Sequence, residues 1–217
     1  MIDKIVVGAL GVNAYFVIDE DTSKGILIDP GAQAHLILDK IKENNWEIGL
    51  ILLTHGHYDH IGAAKELGET LGCPIVAHKK AQAYLENAEL NLSSVFGDDG
   101  FVIQADRYIE GDASEYQDLV KDLPATLDFK VFYAPGHTTD SIVFYFSHYE
   151  AAFVGDVIFK ESIGRTDLEG GDSQSLLNAI KTHVFTLPED TILYPGHGPS
   201  TTVAYEKKYN PYFNSDF

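Results

Sequence analysis

Residues 48–63, IGLILLTHGHYDHIGA, run from an unbroken apolar stretch into three histidines and an aspartate within six positions. An apolar run without alternation reads as a strand covered on both faces, as in the inner layers of an α/β protein. The imidazoles that follow must then lie where the chain leaves the core. His55 and His57, two apart in extended chain, project together, and Gly56 lets the backbone bend between them. Asp59 and His60 open the next helix and turn to a neighbouring position. Neutral imidazole and carboxylate suit Zn²⁺, Fe²⁺ or Mn²⁺, and six residues can supply ligands to two adjacent ions.

The rest of the chain alternates strand and helix around this point. Three short strands, KIVVG, AYFVID and GILIDP, read as a meander. Ala34, Ile37, Leu38 and Ile41 mark an amphipathic helix before IGLILL, and Ala63, Ala64, Leu67 and Leu71 mark another after the histidines. The strand PIVAH and a helix around KKAQAYLEN follow. Residues 86–106 are irregular and hold Gly and Asp turn formers beside Val95, Phe96 and Phe101, which suits either a lid or binding loop or a plain surface excursion. Strands return at DRYIEGD, LDFKVFYAP, SIVFYFSH, AAFVGD and TILYP, with a helix from Ser173 to Phe185 behind the capping candidate Asp172 and a last helix around TVAYEKKY. Two groups of strands, each with helices, suggest two sheets face to face with helices outside: a four-layer αββα sandwich. Periodicity alone does not separate it from a three-layer α/β fold. At 217 residues one domain spanning 1–217 is expected.

Donor residues recur at strand ends. Ala134-Pro135-Gly136-His137 and Tyr194-Pro195-Gly196-His197 both close an apolar strand with Pro-Gly-His, and Asp156 closes FVGD. With His55, His57, Asp59 and His60 this makes seven candidate ligands that could share one edge of the sandwich. His35, His78, His148 and His183 lack such partners and are expected to be structural or exposed. Cys73 cannot form an internal disulfide and reads as a small buried hydrophobe.

Charge narrows the partners. Thirty-three acidic against 15 basic side chains leave a net −18, a field that repels phosphate backbones and anionic membrane surfaces, so neither nucleic acid nor membrane is expected. The opening residues show no signal-peptide pattern and no run reaches the length of a membrane span, so the expected location is cytoplasmic.

The series THGHYDHIGA, APGHT, VGD and PGHG resembles the metallo-β-lactamase superfamily over nearly the whole chain. The resemblance implies an αββα sandwich with one metal held by His55, His57 and His137, another by Asp59, His60 and His197, and Asp156 bridging them. Two divalent ions are implied, zinc first, with iron or manganese as alternatives. Within the superfamily, GDVIFKESIGRTDLEGGD and PGHGPSTTVAYEKKYNPYF are most similar to the hydroxyacylglutathione hydrolases (glyoxalase II), particularly a short bacterial branch. The implied reaction is hydrolysis of a small thioester, S-D-lactoylglutathione or a relative, by a metal-bridging hydroxide, with Asp59 orienting it. Long members of that family carry a C-terminal helical domain that contacts glutathione; this sequence stops 20 residues after His197, and that domain is not expected.

Where the long members place a Lys and a Tyr against glutathione, this sequence reads Gly164-Arg165-Thr166-Asp167. Arg165 could hold a substrate carboxylate or pair with Asp167 or Asp172, and Ser162 is a weaker substrate-contact candidate. The rival readings are a mononuclear iron persulfide dioxygenase using His55, His137 and Asp156, and a hydrolase of another ester or amide within the superfamily.

Overall fold

A computed structural model describes residues 1–96, 99–110 and 115–214. Strands β1 (Ile2–Val7), β2 (Val12–Ile18) and β3 (Lys24–Ile28) form the expected antiparallel meander. From β3 the sheet grows by parallel crossovers. Helix α1 (Ala34–Glu43) leads to β4 (Glu47–Leu52); α2 (Tyr58–Ile61) and α3 (Ala64–Leu71) lead to β5 (Ile75–His78); α4 (Ala81–Leu85) and α5 (Ser93–Phe96) precede β6 (Arg107–Ile109). The first sheet therefore runs β1-β2-β3-β4-β5-β6.

The short helix α6 (Gln117–Val120) precedes a second sheet built from β7 (Lys130–Tyr133), β8 (Ile142–Phe146) and β9 (Ala151–Gly155). A small hairpin, β10 (Ile158–Phe159) with β11 (Ser162–Ile163), and helix α7 (Ser173–Ala179) separate these from β12 (Ile192–Pro195), β13 (Thr201–Thr202) and the last helix, α8 (Val203–Tyr209). The order is β13-β12-β9-β8-β7, with β12 parallel to β9 and the other neighbours antiparallel.

Three apolar layers confirm the four-layer sandwich. Between the sheets, Val17, Ile28, Leu50 and Leu52 of the first meet Phe144, Phe146 and Phe153 of the second. Outside the first sheet, Phe16, Leu27 and Ile51 pack on Ile37, Ile41 and Leu67 of the helices. Outside the second, Val143, Ala152 and Leu193 pack on Leu176 and Ala179. The apolar run of β4 is thus covered on both sides, as its lack of alternation requires. The pairing of β3 with β4 shifts register at Gly25/Ile26, where Gly49 is the extra residue; Ile48 joins the outer layer while Leu50 and Leu52 face the inner one.

Two elements depart from the sequence expectation. The Ser173–Phe185 helix is α-helical only to Ala179 and continues as a π-helical turn over Ile180–Val184. Its start is as expected, since the Asp172 carboxylate accepts from the Ser175 amide at 2.6 Å. The single helix after the histidines is split into α2 and α3 at Gly62-Ala63. Among the described residues no helix is long and apolar enough to cross a membrane.

Backbone approach at the β3–α1 turn fixes the start of α2. A Cβ on Gly31 would lie 1.5 Å from the Asp59 carbonyl oxygen and 2.6 Å from Val12 Cγ1, and the Ala63 amide donates to the Pro30 carbonyl at 2.9 Å. A side chain there must push α2 away from the sheet. Gly31→Ala is expected to lower stability by about 1–3 kcal/mol, the usual range for overpacking, and to reduce metal retained per chain. Urea denaturation with elemental analysis checks this, and an unchanged midpoint would show that the turn yields freely.

Candidate metal centre

All seven donor residues reach one edge of the sandwich. His55 and His57 leave the end of β4, Asp59 and His60 begin α2, His137 lies in the β7–β8 connection, Asp156 follows β9, and His197 follows β12. The second sheet is tied to the first at this edge. The Asn13 amide donates to the Gly196 carbonyl at 2.7 Å, the Tyr15 hydroxyl donates to the Pro195 carbonyl at 2.7 Å, and Val12 bridges His197. A Cβ on Gly196 would fall 2.4 Å from Asp156 Oδ1 and 2.5 Å from His60 Cε1, so the residue before His197 has no room for a side chain.

The donor atoms fall into three overlapping sets, each within 4.8 Å: His55, His57 and His137; Asp59, His60 and His197; and His55, His60 and Asp156. Asp156 therefore stands between the other two, with Oδ1 at 3.4 Å from His60 Nε2 and Oδ2 at 3.7 Å from both His137 Nε2 and His197 Nε2. Asp59 Oδ2 lies 3.1 Å from His197 Nε2.

Surrounding groups aim the rings. His60 Nδ1 donates to Asp29 Oδ2 at 2.9 Å, His137 Nδ1 to the Arg165 carbonyl at 2.9 Å, and His197 Nδ1 to the Leu10 carbonyl at 3.2 Å. His55 Nδ1 donates to Thr54 Oγ1 at 3.2 Å, and that hydroxyl donates to Asp29 Oδ2 at 2.6 Å. Four histidines thus present Nε2 inward. His57 instead turns Nδ1 inward, 3.2 Å from His55 Nε2 and 3.0 Å from His137 Nε2. Outer partners of this kind fix tautomer and ring orientation at metal sites.

The electrostatics are those of a cation site. His60 Nε2 and Asp156 Oδ1 are buried without hydrogen bonds. Burial alone would lower His60, but Asp59, Asp156 and Asp29 outweigh it and push the imidazole well above its usual range. Burial alone would raise Asp156, yet His60, His137 and His197 hold it far below the carboxylate range. His57 is driven down to about 3 by burial and by its imidazole neighbours, and His55 falls for the same reasons. The donor set, its burial and its orphaned atoms fit divalent metal ions.

Outside the cluster, the Arg165 guanidinium makes a bidentate pair with Asp167 at 2.8 and 2.9 Å, so of the open possibilities the ion pair is the one formed. Arg165 reaches the centre through its carbonyl. The Ser162 hydroxyl makes only a long 3.5 Å contact to the Ile163 carbonyl in the small hairpin. His78 stacks on Tyr133 and His183 on Phe132. Cys73 is buried, which pushes its thiol up to about 11.

Two buried acids escaped the sequence reading. Asp29 holds Thr54 and His60, as described, and takes a left-handed φ of 50° just before Pro30. An aspartate ending a strand before proline reads as a turn former, and its partners lie 25 and 31 positions away. Asp140 is fully buried with neither carboxylate oxygen hydrogen bonded, and a Cβ on Gly56 would sit 3.4 Å from its Oδ2. Burial pushes its carboxyl up to about 6, and weaker contacts with the Thr138 hydroxyl and nearby amides keep it from rising further.

Fold and donor set together define a metal-dependent hydrolase centre with places for two ions. The chain belongs to the metallo-beta-lactamase superfamily, whose sequence model matches residues 7–197. It is 34% identical to the hydroxyacylglutathione hydrolase GloC of Haemophilus influenzae, over 99% of this chain and 98% of that protein. Among solved structures it is similar to the BLEG-1 B3 metallo-beta-lactamase, with a TM-score of 0.87 and 35% identity over 99% of this chain and all of that one. It is also similar to TTHA1623 in a di-iron-bound form, with a TM-score of 0.82 and 30% identity over 97% and 99%.

Two outcomes follow from the buried charges. Because His60 carries a proton that a ligand nitrogen must give up, metal loading near pH 7 is expected to release protons and to weaken as pH falls. Calorimetric titration in buffers of different ionisation heat measures this, and a loading heat independent of buffer would contradict it. For Asp140, a folded-state value above the ordinary 3.8 means that stability is full below about pH 4 and is lost as pH rises through about 6. That gap corresponds to about 3 kcal/mol. Metal-free Asp140→Asn should therefore be more stable than the parent at pH 8 by about 1–2 kcal/mol, since a buried amide still lacks partners, and the gain should vanish below pH 4. Denaturation midpoints across pH check both halves.

Proposed function

We propose that this chain is a thioesterase of the glyoxalase II kind, hydrolysing S-D-lactoylglutathione or a related small thioester. The observation that carries the reading is the convergence of five histidines and two aspartates on one buried space, in two sets joined by Asp156. His55, His57 and His137 would hold one divalent ion and Asp59, His60 and His197 a second, with Asp156 shared; zinc suits these donors, and iron or manganese are acceptable to them. Once bound, such ions lower the pKa of water from 15.7 toward 7 and polarise a carbonyl.

The side chains do the rest. Asp59, on the first turn of α2, is held below its usual pKa: burial would raise it, but His60 and the hydrogen bond from His197 outweigh that, so it remains an acceptor able to orient the attacking oxygen. The oxygen of water adds to the carbonyl carbon, the C–S bond breaks with its electron pair on sulfur, and the acid and thiol produced share the hydrogens of that water. A thiolate leaves near its free pKa of about 8.5, so no separate strong acid is needed. GloC, a hydroxyacylglutathione hydrolase similar over full length, supports the substrate class.

The test is metal content per chain beside a thioester assay. Two ions per chain and turnover lost on chelation are expected. Asp59→Asn should lower kcat at least about a hundredfold while the protein still retains the ion held by the three histidines. One iron per chain, no hydrolysis and oxygen uptake with a persulfide would replace this reading with the dioxygenase.

A further inference from the structure

Beside Asp59 the surface opens into a recess of about 340 Å³, walled by Leu10, Ala32, Tyr58, Phe96 and Phe101. Two of these walls are apolar side chains left in the open, Leu10 at 54% and Phe96 at 61% exposure. Both are held in place. The Leu10 carbonyl accepts from His197 Nδ1, and Phe96 stacks on Tyr58 with ring centroids 5.8 Å apart. The segment carrying Phe96 is anchored to the centre, since the Tyr58 amide donates to the Asn91 carbonyl at 2.8 Å and Asn91 and Ser93 are fully buried.

The charge of this recess is one-sided. Among the described residues, Asp59 is the sole charged group lining it. The sequence offers no cation from its walls either, since 5–23 and 81–106 contain no Lys or Arg while 86–106 contains five acids. Arg165, the arginine considered for substrate, is already paired with Asp167. On the His197 side of the same centre a second, more open recess carries Lys160 and Glu161 with Phe159 and Pro199, and the Glu161 carboxylate is engaged as the acceptor of the Tyr205 hydroxyl. An anionic leaving group finds a cation there and none beside Asp59.

We infer that the recess beside Asp59 is the acyl-binding site and selects an uncharged, apolar acyl group, with the thiol departing on the Lys160 side. This rests on the thioester-hydrolase reading and departs from it only in the acyl group: thioesters of medium-length fatty acyl groups are preferred over the small polar D-lactoyl group, and anionic acyl groups are poor substrates. The occupant follows from the walls. An apolar chain covers Leu10, Phe96 and Phe101 from water, whereas an acyl carboxylate would lose its hydration against walls that carry no Lys or Arg.

The experiment compares kcat/KM for acetyl, butyryl, hexanoyl and succinyl thioesters of one neutral thiol, N-acetylcysteamine. From acetyl to hexanoyl the expected rise is about thirtyfold or more, with succinyl at least about tenfold below butyryl. Leu10→Asp and Phe96→Asp, both at exposed positions, should each cut the hexanoyl-to-acetyl ratio below about fivefold. Ile192→Ser, on an exposed residue at the start of β12 and so at the strand end away from His197, should leave that ratio intact. Hexanoate and acetate binding by calorimetry gives a readout independent of turnover, with hexanoate at least about tenfold tighter in the parent and not in Leu10→Asp. A flat acyl profile with turnover present, or a ratio untouched by both aspartate variants, overturns the acyl site alone. Absence of turnover with every thioester overturns the hydrolase reading, and the acyl site falls with it unless the hexanoate preference persists.

Discussion

The arrangement depends on a cluster of imidazoles and carboxylates placed where water cannot neutralise them. His60 touches Asp29 on one side and faces Asp59 and Asp156 on the other, and its side chain is fully buried. An unpaired buried carboxylate would ionise only at a cost of several kcal/mol, so the acids and imidazoles must either compensate each other or take up cations. Compensation among the side chains alone is incomplete, since His60 Nε2 and Asp156 Oδ1 are buried without hydrogen bonds. Such a cluster lowers stability. The three apolar layers around Leu50, Phe153 and Leu176 supply the stabilisation against which it is tolerated.

Rigidity at the strand ends has the same origin. Seven donors cannot be held within hydrogen-bonding range on mobile loops, because each would then relax toward solvent. Here every donor sits within a few residues of a buried strand. The cross-sheet bonds from Asn13 and Tyr15 to the end of β12 lock the two sheets at the edge where they must agree. The glycines at 31 and 196 serve that agreement by letting backbone approach backbone, and ligand approach backbone, without a side chain between. A centre assembled from both sheets is then as stiff as the interface between them.

How much of this was legible in the sequence depended on whether a feature was local. The apolar run of β4 and the close spacing of His55, His57, Asp59 and His60 are local, and they implied a buried strand ending in a metal-type cluster. His137, Asp156 and His197 were recognisable because each closes a strand. That they meet the first four is a property of sheet packing, which spacing alone does not state. Asp29 was missed because its role is to touch Thr54 and His60 across the β3–β4 pair, and nothing in GILIDP distinguishes it from a turn residue. Asp140 was missed because burial of a lone acid has no periodic signature. The partner of Arg165 stayed open between Asp167 and Asp172, since both lie within reach of a flexible side chain and only the Asp172 cap on α7 removes one of them. The 86–106 stretch was ambiguous between lid and excursion; the described part leans on Tyr58 through Phe96, which brings it to the centre rather than away from it.

The net charge acquires a sharper meaning beside this geometry. A field of −18 slows the approach of anions in general, and two acids at the centre add to that repulsion until cations are bound. An acyl carboxylate placed in the recess beside Asp59 would find no Lys or Arg in its walls, and Arg165 is tied to Asp167. A neutral acyl group meets no such opposition, and its burial against Leu10 and Phe96 removes apolar surface from water that the fold otherwise leaves exposed. In the proposed reaction the donor set holds the ions and the apolar walls beside Asp59 hold the acyl group, so binding energy is hydrophobic on one side and negative charge departs on the other. On that proposal the walls set acyl selectivity and the donors set metal affinity, and Asp59 is the one residue that belongs to both, so a change there is expected to touch both at once.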